Sequence, residues 1–350
     1  MDTLQKYDIL ITGTGKLAQE LIEGLSLVKE IVLKVAVGGR EISSASWICT
    51  VANSRAKTSE TNVSFYPLQI PWEEENDLVE FLRRHPAKII IHLASLQSPW
   101  NLNDGSEWSE LVKKMGFGIT VFRQSELLIR LVRAAKVAVP ATCIINGCYP
   151  DACNQLLARL GLKVFTGIGN VSILESVFRA HFSLSSKDNI KIVAHHYHLA
   201  QLINGSRKCL PEVWINNEKV LCLNEKLSNL TLASDSSLNS VTAITIIPLI
   251  KAVLNNDEAY FNLPGPLGLP GGYPVKFSNG EFEISLPDEM NLTQALAFNK
   301  SMERQEGLEV RENGIYVDPL VISYFKKSQE SYCIINEIQG YQIYESVLKN

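Results

Sequence analysis

The stretch Tyr7-Asp8-Ile9-Leu10-Ile11-Thr12-Gly13-Thr14-Gly15-Lys16-Leu17-Ala18 stands near the start of the chain. Its apolar run predicts a β-strand, and apolar residues at 21, 22 and 25 continue with the spacing of an amphipathic helix. Gly13, Gly15 and Ala18 lie between the two with the spacing G-x-G-x-x-G/A. In this setting the spacing is typical of a turn that binds a dinucleotide.

Each small residue of this turn has a physical reason. Gly13 allows the tight turn, Gly15 lets a pyrophosphate approach the backbone, and Ala18 keeps the helix close to the sheet. The helix that follows offers free N–H groups and the positive end of its dipole to phosphate. The alternative is a glycine-rich turn in another doubly wound fold that binds no dinucleotide.

The end of the second predicted strand, 31–37, indicates which dinucleotide is bound. Gly38, Gly39 and Arg40 stand where NAD-binding sheets place an acid for the ribose 2′-hydroxyl. A guanidinium pairs with a 2′-phosphate, whereas a carboxylate repels it. The sequence therefore predicts NADP(H), with NAD(H) as the alternative because Glu41 follows Arg40; Arg40 could also be a solvated turn residue. The predicted cofactor-binding residues are Gly13, Thr14, Gly15, Lys16, Leu17, Gly39, Arg40, Ser43, Ala94 and Ser95.

Strands and helices alternate up to about residue 185, which predicts an α/β chain with a doubly wound parallel sheet. Beyond it the pattern is mixed, so we predict a dinucleotide-binding domain at 1–150 and an α+β domain for substrate and dimer contacts at 151–350. Residues 189–198 are predicted as a strand, and 291–306 as a helix. The Pro- and Gly-rich stretch 261–274 is predicted as a surface loop or lid. Asn279-Gly280 and Asn313-Gly314 predict hairpin turns.

The composition of the chain limits the classes of protein to which it can belong. The chain has 350 residues, 46% hydrophobic and 20% charged, with a formal net charge of −4. The balance gives no basic surface for nucleic acid. No apolar run reaches membrane-spanning length, and the polar residues 1–6 are not those of a signal peptide, so we expect no membrane partner. Seven scattered cysteines favour reduced thiols and a cytoplasmic location.

From the glycine turn to about residue 200, the order of elements resembles the lactate/malate dehydrogenase superfamily, which also contains NAD-dependent glycosidases. The resemblance rests on Gly13 and Gly15, the loop after Ala94, Asn146 at a strand end, and Gly167-Ile168-Gly169 leading to Leu174-Glu175-Ser176. It implies a Rossmann-type fold and hydride transfer with a nicotinamide cofactor. The ending, with Gly271-Gly272-Tyr273-Pro274, suggests a relative closer to opine-type dehydrogenases.

The resemblance also implies roles for residues. Asn146 matches the family's asparagine that touches substrate and nicotinamide, with Gly147 in place of proline. His196 is the nearest match to the catalytic histidine, and Glu175 to the acid that holds it. Arg179 stands near the family's substrate-clamping arginine, and no arginine lies in 95–105. A simple 2-hydroxy acid therefore fits poorly as substrate.

His196 also has chemical grounds. A histidine titrates near neutral pH and can exchange the proton that accompanies hydride transfer. In a strand, His196 and His198 would share one face and His195 would point away. The alternatives are a metal site, which lacks a third ligand and is not predicted, and strand histidines without chemistry.

The sequence thus predicts a homodimeric NADP(H)-dependent oxidoreductase acting on a C=O or C=N carbon of a small polar metabolite. Its predicted catalytic residues are His196, Glu175, Asn146 and Arg179. Two alternatives stay open. One is a nicotinamide-assisted lyase or glycosidase without net cofactor turnover. The other is a non-catalytic protein that senses NADP(H).

Overall fold

The computed structural model describes residues 5–102, 104–311 and 314–328, and the backbone of 342–345. Its helices follow the apolar stripes of the sequence, and most are amphipathic. Their bounds are α1 Lys16–Leu25, α2 Ile42–Thr58, α3 Glu75–Arg84, α4 Glu107–Met115, α5 Val121–Gln124, α6 Glu126–Ala138, α7 Pro150–Arg159, α8 Asn170–His181, α9 His196–Ile203, α10 Leu223–Lys226, α11 Leu238–Asn255, α12 Leu292–Glu303 and α13 Pro319–Ser328, with 3₁₀ turns at Phe117–Thr120, Pro266–Gly268 and Arg304–Glu306.

A parallel sheet holds the first half of the chain, and its strand order is β3-β2-β1-β4-β5-β6. The strands are β1 Tyr7–Thr12, β2 Leu33–Gly39, β3 Val63–Gln69, β4 Ala87–His92, β5 Cys143–Asn146 and β6 Thr166–Gly167. Central strands are apolar on both faces because helices cover both, so Ile9, Leu10 and Ile11 are all fully buried. The order reverses at β1, which is flanked by β2 and β4, and ligands bind at such a switch point. The predicted Rossmann-type fold class is confirmed.

The remaining described strands form three small sheets. Their strands are β7 Ile190–Val193, β8 Glu212–Ile215 and β9 Glu218–Lys219; β10 Ala259–Pro264, β11 Gly272–Ser278 and β12 Glu281–Ile284; and β13 Glu309–Arg311, β14 Gly314–Val317 and β15 Gln342–Glu345. The hairpin turn at Asn279-Gly280 is confirmed, since both residues have positive φ, 51° and 80°. In the second predicted turn, residue 313 lies outside the described residues, and Gly314 begins β14.

The late segments pack on both faces of the parallel sheet. Leu308 and Ile315 belong to the same apolar cluster as Leu10, whereas Ala243 and Ile246 of α11 share a cluster with Ile9. The sheet also takes its sixth strand from Thr166–Gly167, beyond the predicted boundary at residue 150. The parallel sheet therefore ends at residue 167, and the core around it includes residues from the C-terminal part of the chain.

The predicted surface loop at 261–274 is wrong. Ala259–Pro264 and Gly272–Ser278 pair as antiparallel strands, and the turn between them is largely buried. Gly271 has φ 74°, and a Cβ there would lie 2.5 Å from the Asn299 side chain. Glycine is needed here for close packing rather than for an exposed turn.

Within the described part of the chain, one helix is long and apolar enough to cross a membrane, Leu238–Asn255 with a mean hydropathy of 1.5. This differs from the sequence expectation that no run reaches that length. Here the helix packs against α1, where a Cβ at Gly24 would lie 3.0 Å from Ile247 Cδ1. It serves as a core helix of this fold.

Candidate functional site

A cleft of about 760 Å³ opens at the carboxyl ends of the parallel strands. The loops that follow β1, β2, β4 and β5 all line it, and α8, α9 and the start of α11 form the opposite wall. The cleft therefore lies at the switch point of the sheet, where this class of fold binds ligands. Nine of the predicted cofactor-binding residues line it, namely Gly13, Thr14, Gly15, Lys16, Leu17, Gly39, Arg40, Ala94 and Ser95.

The glycine turn after β1 has the backbone that its sequence requires. Gly13 has φ 119°, and a Cβ there would lie 2.9 Å from the Leu93 carbonyl carbon. At Gly15 a Cβ would meet no atom within 4 Å, so this backbone faces open space. The first turn of α1 has no side-chain cap and no acidic residue. Its N–H groups are thus suited to hold an anion.

The end of β2 borders the same cleft. Gly39 packs closely on Thr14, because a Cβ at Gly39 would lie 2.9 Å from Thr14 Cγ2. Arg40 is exposed and lines the cleft, whereas Glu41 occupies the N-cap position of α2 without a side-chain cap and is also exposed. Ser43 lies exposed in the first turn of α2 and does not line the cleft, so this structure does not place it with the other predicted cofactor-binding residues.

The predicted strand at 189–198 is wrong beyond Val193, where β7 ends. Helix α9 begins at His196, because the His195 and His198 side chains cap it. His195 Nδ1 accepts from the Tyr197 N–H at 3.2 Å, and His198 Nδ1 accepts from the His195 N–H at 2.8 Å. Side-chain caps of this kind compete with strand pairing.

The three histidines consequently separate. The His196 side chain is 20% exposed and lines the cleft, whereas His195 and His198 are buried. Burial lowers the pKa of His195 to about 4 and that of His198 to about 3. Neither reaches the cleft, and within the described residues no three His, Cys, Asp or Glu side chains group as a metal site. His196 is the histidine placed for chemistry.

A buried carboxylate, Glu306, holds the His196 ring. His196 Nδ1 lies 2.5 Å from Glu306 Oε1, and the Tyr149 hydroxyl donates to Glu306 Oε2 at 2.5 Å. The ring also stacks on Phe117, with centroids 4.5 Å apart and planes at 21°. Since Nδ1 faces the carboxylate, Nε2 is the ring nitrogen left for a ligand.

His196 and Glu306 shift each other's pKa. Burial tends to lower the pKa of His196, but the charge and hydrogen bond of Glu306 outweigh it and leave that pKa raised. Burial tends to raise the pKa of Glu306, yet His196 leaves it lowered, so the carboxylate is ionised and Nδ1 donates. The arrangement can store a proton on His196 and stabilise the imidazolium form.

Glycines bring Glu306 to this place. A Cβ at Gly116 would lie 2.4 Å from the Glu306 carbonyl oxygen, and one at Gly118 would lie 2.6 Å from it. Gly307 has φ 80°, and its Cβ would overlap the Met115 carbonyl oxygen. The 3₁₀ turn that carries Glu306 therefore packs, backbone against backbone, on residues 115–118, which end α4 and follow it (the α4 loop).

Gly307→Ala is expected to lower the free energy of unfolding by about 2–4 kcal/mol, through positive φ and overpacking together. Urea denaturation would measure it. Gly161→Ala is the matched control, because Gly161 has φ 67° but open space around its Cβ position. A loss of about 1 kcal/mol is expected there. Equal losses in the two variants would contradict the close contact at Gly307.

Asp151 lies beneath the same site. It is buried, accepts a hydrogen bond from the Asn170 side chain, and Asn170 lines the cleft. Burial raises the pKa of Asp151 to about 7. Asn170 is the first residue of α8, and its side-chain Nδ2 is the donor to Asp151.

Two predicted catalytic residues lie elsewhere. Glu175 does not contact His196: its Oε1 pairs with Arg179 Nε at 2.9 Å, and its Oε2 accepts from the Asn262 side chain at 2.8 Å. Arg179 also donates to the carbonyl oxygens of Ser185 and Asp188. Both side chains stabilise the junction of α8 with neighbouring segments. The predicted Glu175–His196 contact is therefore not formed, and Arg179 does not line the cleft.

The side chain of Asn146 also makes its hydrogen bonds within the protein. It is fully buried at the end of β5. Its Nδ2 donates to the Cys148 carbonyl at 3.0 Å and to Asn154 Oδ1 at 2.8 Å, and its Oδ1 accepts from the Cys148 N–H at 2.8 Å. The side chain shapes the loop that carries Cys148 and Tyr149 to the cleft. The side-chain amide of Asn146 is thus hydrogen-bonded within the protein, and its contact with substrate stays a prediction.

Sequence reasoning missed Glu306, Tyr149 as its partner, Asp151 and Phe117. Glu306 is 110 positions from His196, so no local spacing could have linked them. Only the structure shows an indication at Tyr149. Its φ is 42°, an uncommon backbone angle for a non-glycine residue, and residues with such angles cluster at functional sites.

No family model matches this sequence, and no curated protein matches it significantly. Solved structures match its fold. Malate dehydrogenase from Archaeoglobus fulgidus in complex with NADH is 12% identical, with a TM-score of 0.57, over 86% of this chain and 98% of that one. The apo malate dehydrogenase from Picrophilus torridus is 11% identical, with a TM-score of 0.55, over 93% and 99%.

The chain has the malate/lactate dehydrogenase fold. Lactate dehydrogenase from Cryptosporidium parvum, complexed with lactic acid and nicotinamide adenine dinucleotide, matches over 86% of this chain and 96% of that one, at 14% identity and a TM-score of 0.50. The resemblance inferred from the glycine turn and the order of elements is thus confirmed for the fold. At these identities the reaction has to be argued from the site itself.

Proposed function

We propose that this chain is a nicotinamide-dinucleotide-dependent oxidoreductase that transfers a hydride to or from a C=O or C=N carbon of a small molecule. One observation supports it above the others. The glycine turn at Gly13–Leu17 and His196, whose ring is held by the buried Glu306, line one cleft. A dinucleotide site and an acid/base site are thus joined in a single cavity.

The residues present fit a dinucleotide. Gly15 leaves open the space that a side chain would fill, and the uncapped N-terminus of α1 suits a pyrophosphate. Gly13 to Leu17 would hold the phosphates, and the end of β2 would hold the adenosine ribose. When bound, the nicotinamide would supply or accept the hydride.

In this proposal His196 exchanges the accompanying proton at Nε2. Glu306 fixes the ring by its bond to Nδ1 and stabilises the protonated ring, so it is a positioning residue. Phe117 lies flat on the imidazole and Tyr149 meets its edge, with centroids 5.4 Å apart. These two rings exclude water from the side of the imidazole that faces the protein.

We further propose NADP(H) as the preferred cofactor. Arg40 is the cation at the end of β2, and among the described residues its guanidinium has no carboxylate partner. It is therefore available to a 2′-phosphate. That the enzyme is a cytoplasmic homodimer stays a prediction from the sequence.

Arg40→Ala is expected to weaken NADPH binding by about tenfold or more and to leave NADH binding nearly unchanged, because one charge-assisted contact to the 2′-phosphate is lost. Fluorescence titration of both nucleotides would measure it. Arg55→Ala is the matched control, since Arg55 is exposed on α2 and pairs with Glu23 outside the cleft. Equal loss for both nucleotides would contradict the 2′-phosphate contact. Failure of both to bind the wild-type chain would remove the proposed function.

A further inference from the structure

We propose that the substrate is a neutral carbonyl compound with an apolar substituent, rather than the anion of a 2-oxo or 2-hydroxy acid. This inference rests on the proposed function, because it concerns what lies beside His196 in the same cleft. Three features of that cleft carry it: an apolar stripe, uncharged polar groups, and the sign of the nearby charges.

The stripe runs along α9 away from His196. Leu199, Ala200 and Ile203 follow His196 at i+3, i+4 and i+7, so they share its face of the helix, and all four line the cleft. Ile173 and Leu238 continue this surface from α8 and α11. Trp100, from the loop after β4, packs against the same apolar cluster. The wall next to the reacting position is therefore suited to hydrocarbon.

Polar groups on this wall carry no formal charge. Asn204, Asn239 and Thr242 line the cleft near the ends of α9 and α11. Amides and hydroxyls of this kind orient a neutral polar group but do not offset a carboxylate. They fit a substrate with a single oxygen or nitrogen function.

The charges near His196 are acidic. Glu306 touches its ring, and the buried Asp151 carboxyl is the other acidic group that acts on it. The cations among the described lining residues are Lys16, Arg40 and Arg130, and two of them are already paired. Lys16 lies 2.7 Å from Glu20, and Arg130 Nε lies 2.9 Å from Glu126.

Arg40 stands at the end of β2, at the nucleotide end of the cleft, and Arg179 is bonded to Glu175. Among the described lining residues, a substrate carboxylate beside His196 would find only the imidazolium ring, whose charge Glu306 already balances, and no guanidinium partner. An uncompensated charge in such a site is costly, whereas an apolar chain gains from burial.

The test uses straight-chain primary amides, from butanamide to hexanamide, as neutral carbonyl mimics, with oxamate as the anionic mimic. Calorimetric titrations would be run on the full chain with saturating NADPH and without nucleotide. We expect affinity for the amides to rise by about fourfold per added methylene, the usual gain on burying one. Oxamate is expected to bind more weakly than hexanamide.

Ile203→Arg tests the wall directly, because Ile203 is half-buried on the last turn of α9 and an arginine can extend into the cleft. We expect it to abolish the chain-length dependence and to strengthen oxamate binding by about tenfold, as for one new ion pair in a partly buried site. The matched control is Ile244→Arg, at a residue of α11 that is 65% exposed and outside the cleft. It is expected to behave as wild type.

Tighter binding of oxamate than of hexanamide by the wild-type chain, or a flat amide series, would overturn this inference and leave the proposed function intact if NADPH binds. Failure of NADPH and NADH to bind would instead remove the proposed function. In that case the nucleotide-free titrations still decide the nature of the wall. An affinity for the amides that rises with chain length and that Ile203→Arg abolishes supports an apolar wall. An affinity that does not change with chain length refutes an apolar wall.

Discussion

Replacing His196 with alanine is expected to lower turnover by about 10²–10⁴-fold, the usual contribution of a positioned general acid or base. Nucleotide affinity is expected to stay unchanged, because the glycine turn that would hold the phosphates follows β1 and makes no hydrogen bond to His196 among those described. The reason for the loss is that the reduced carbonyl oxygen no longer receives a proton from Nε2. The measurement is the loss of NADPH absorbance at saturating carbonyl substrate, beside a fluorescence titration of the nucleotide.

His181→Ala is the matched control for this variant. His181 ends α8 and its Nε2 bonds with the Lys226 carbonyl oxygen at 2.8 Å, outside the cleft. Turnover within twofold of wild type is expected for it. An unchanged rate for His196→Ala would remove this residue from the mechanism, whereas equal losses in both variants would point to a general effect on folding.

Glu306→Gln is expected to reduce turnover by about 10²-fold or more, as changes of a carboxylate that orients a catalytic histidine do. The amide keeps the size of the side chain but removes the charge that stabilises the protonated ring. Tyr149 would also lose the carboxylate that accepts its hydroxyl proton. Turnover and nucleotide binding would be measured as for His196→Ala, with folding checked by circular dichroism.

The pH profile separates a positioning role from a structural one. Reduction needs protonated His196, so its rate is present below the pKa of His196 and is lost as pH rises through it. Glu306 raises that pKa above the ordinary value, and without its charge burial lowers the pKa instead. In Glu306→Gln the loss of activity should therefore begin at lower pH than in the wild type.

The matched control is Glu303→Gln. Glu303 is also buried on the end of α12, but its carboxylate accepts from Gln155 Nε2 at 2.7 Å and does not contact His196. The same substitution there should leave the position of the pH profile unmoved. A profile that fails to shift in Glu306→Gln would show that Glu306 supports the fold without tuning the histidine.

The sequence predicted the parallel sheet and the glycine turn because both depend on local patterns. Buried strands are apolar on both faces, and Gly13 and Gly15 are set by the turn itself. His196 was placed at the site through the resemblance, although its secondary structure was wrong. The capping contacts of His195 and His198 override the strand-like run before them, and such side-chain competition is not visible in periodicity.

Partners far apart in the chain could not be predicted in this way. Glu175 was chosen as the acid near His196 because it lies close in sequence, but Arg179 one helical turn later and Asn262 occupy it. Asn146 is drawn into its own loop by the Cys148 backbone. The Pro- and Gly-rich stretch near 265 is largely buried because its glycines permit close approach of neighbouring atoms. Composition alone predicts a surface turn for such a stretch.

By itself, then, the sequence determined the elements of the parallel sheet, the turn suited to phosphate, and the histidine at the cleft. The first two depend on residues that are close in the sequence, and the histidine was placed by the resemblance. Only the tertiary structure decided which acid holds that histidine and what kind of surface lies beside it. Glu306 reaches His196 because three glycines let its 3₁₀ turn pack on the α4 loop, and the apolar wall forms where α8, α9 and α11 meet. Such contacts join residues more than a hundred positions apart, and packing selects them.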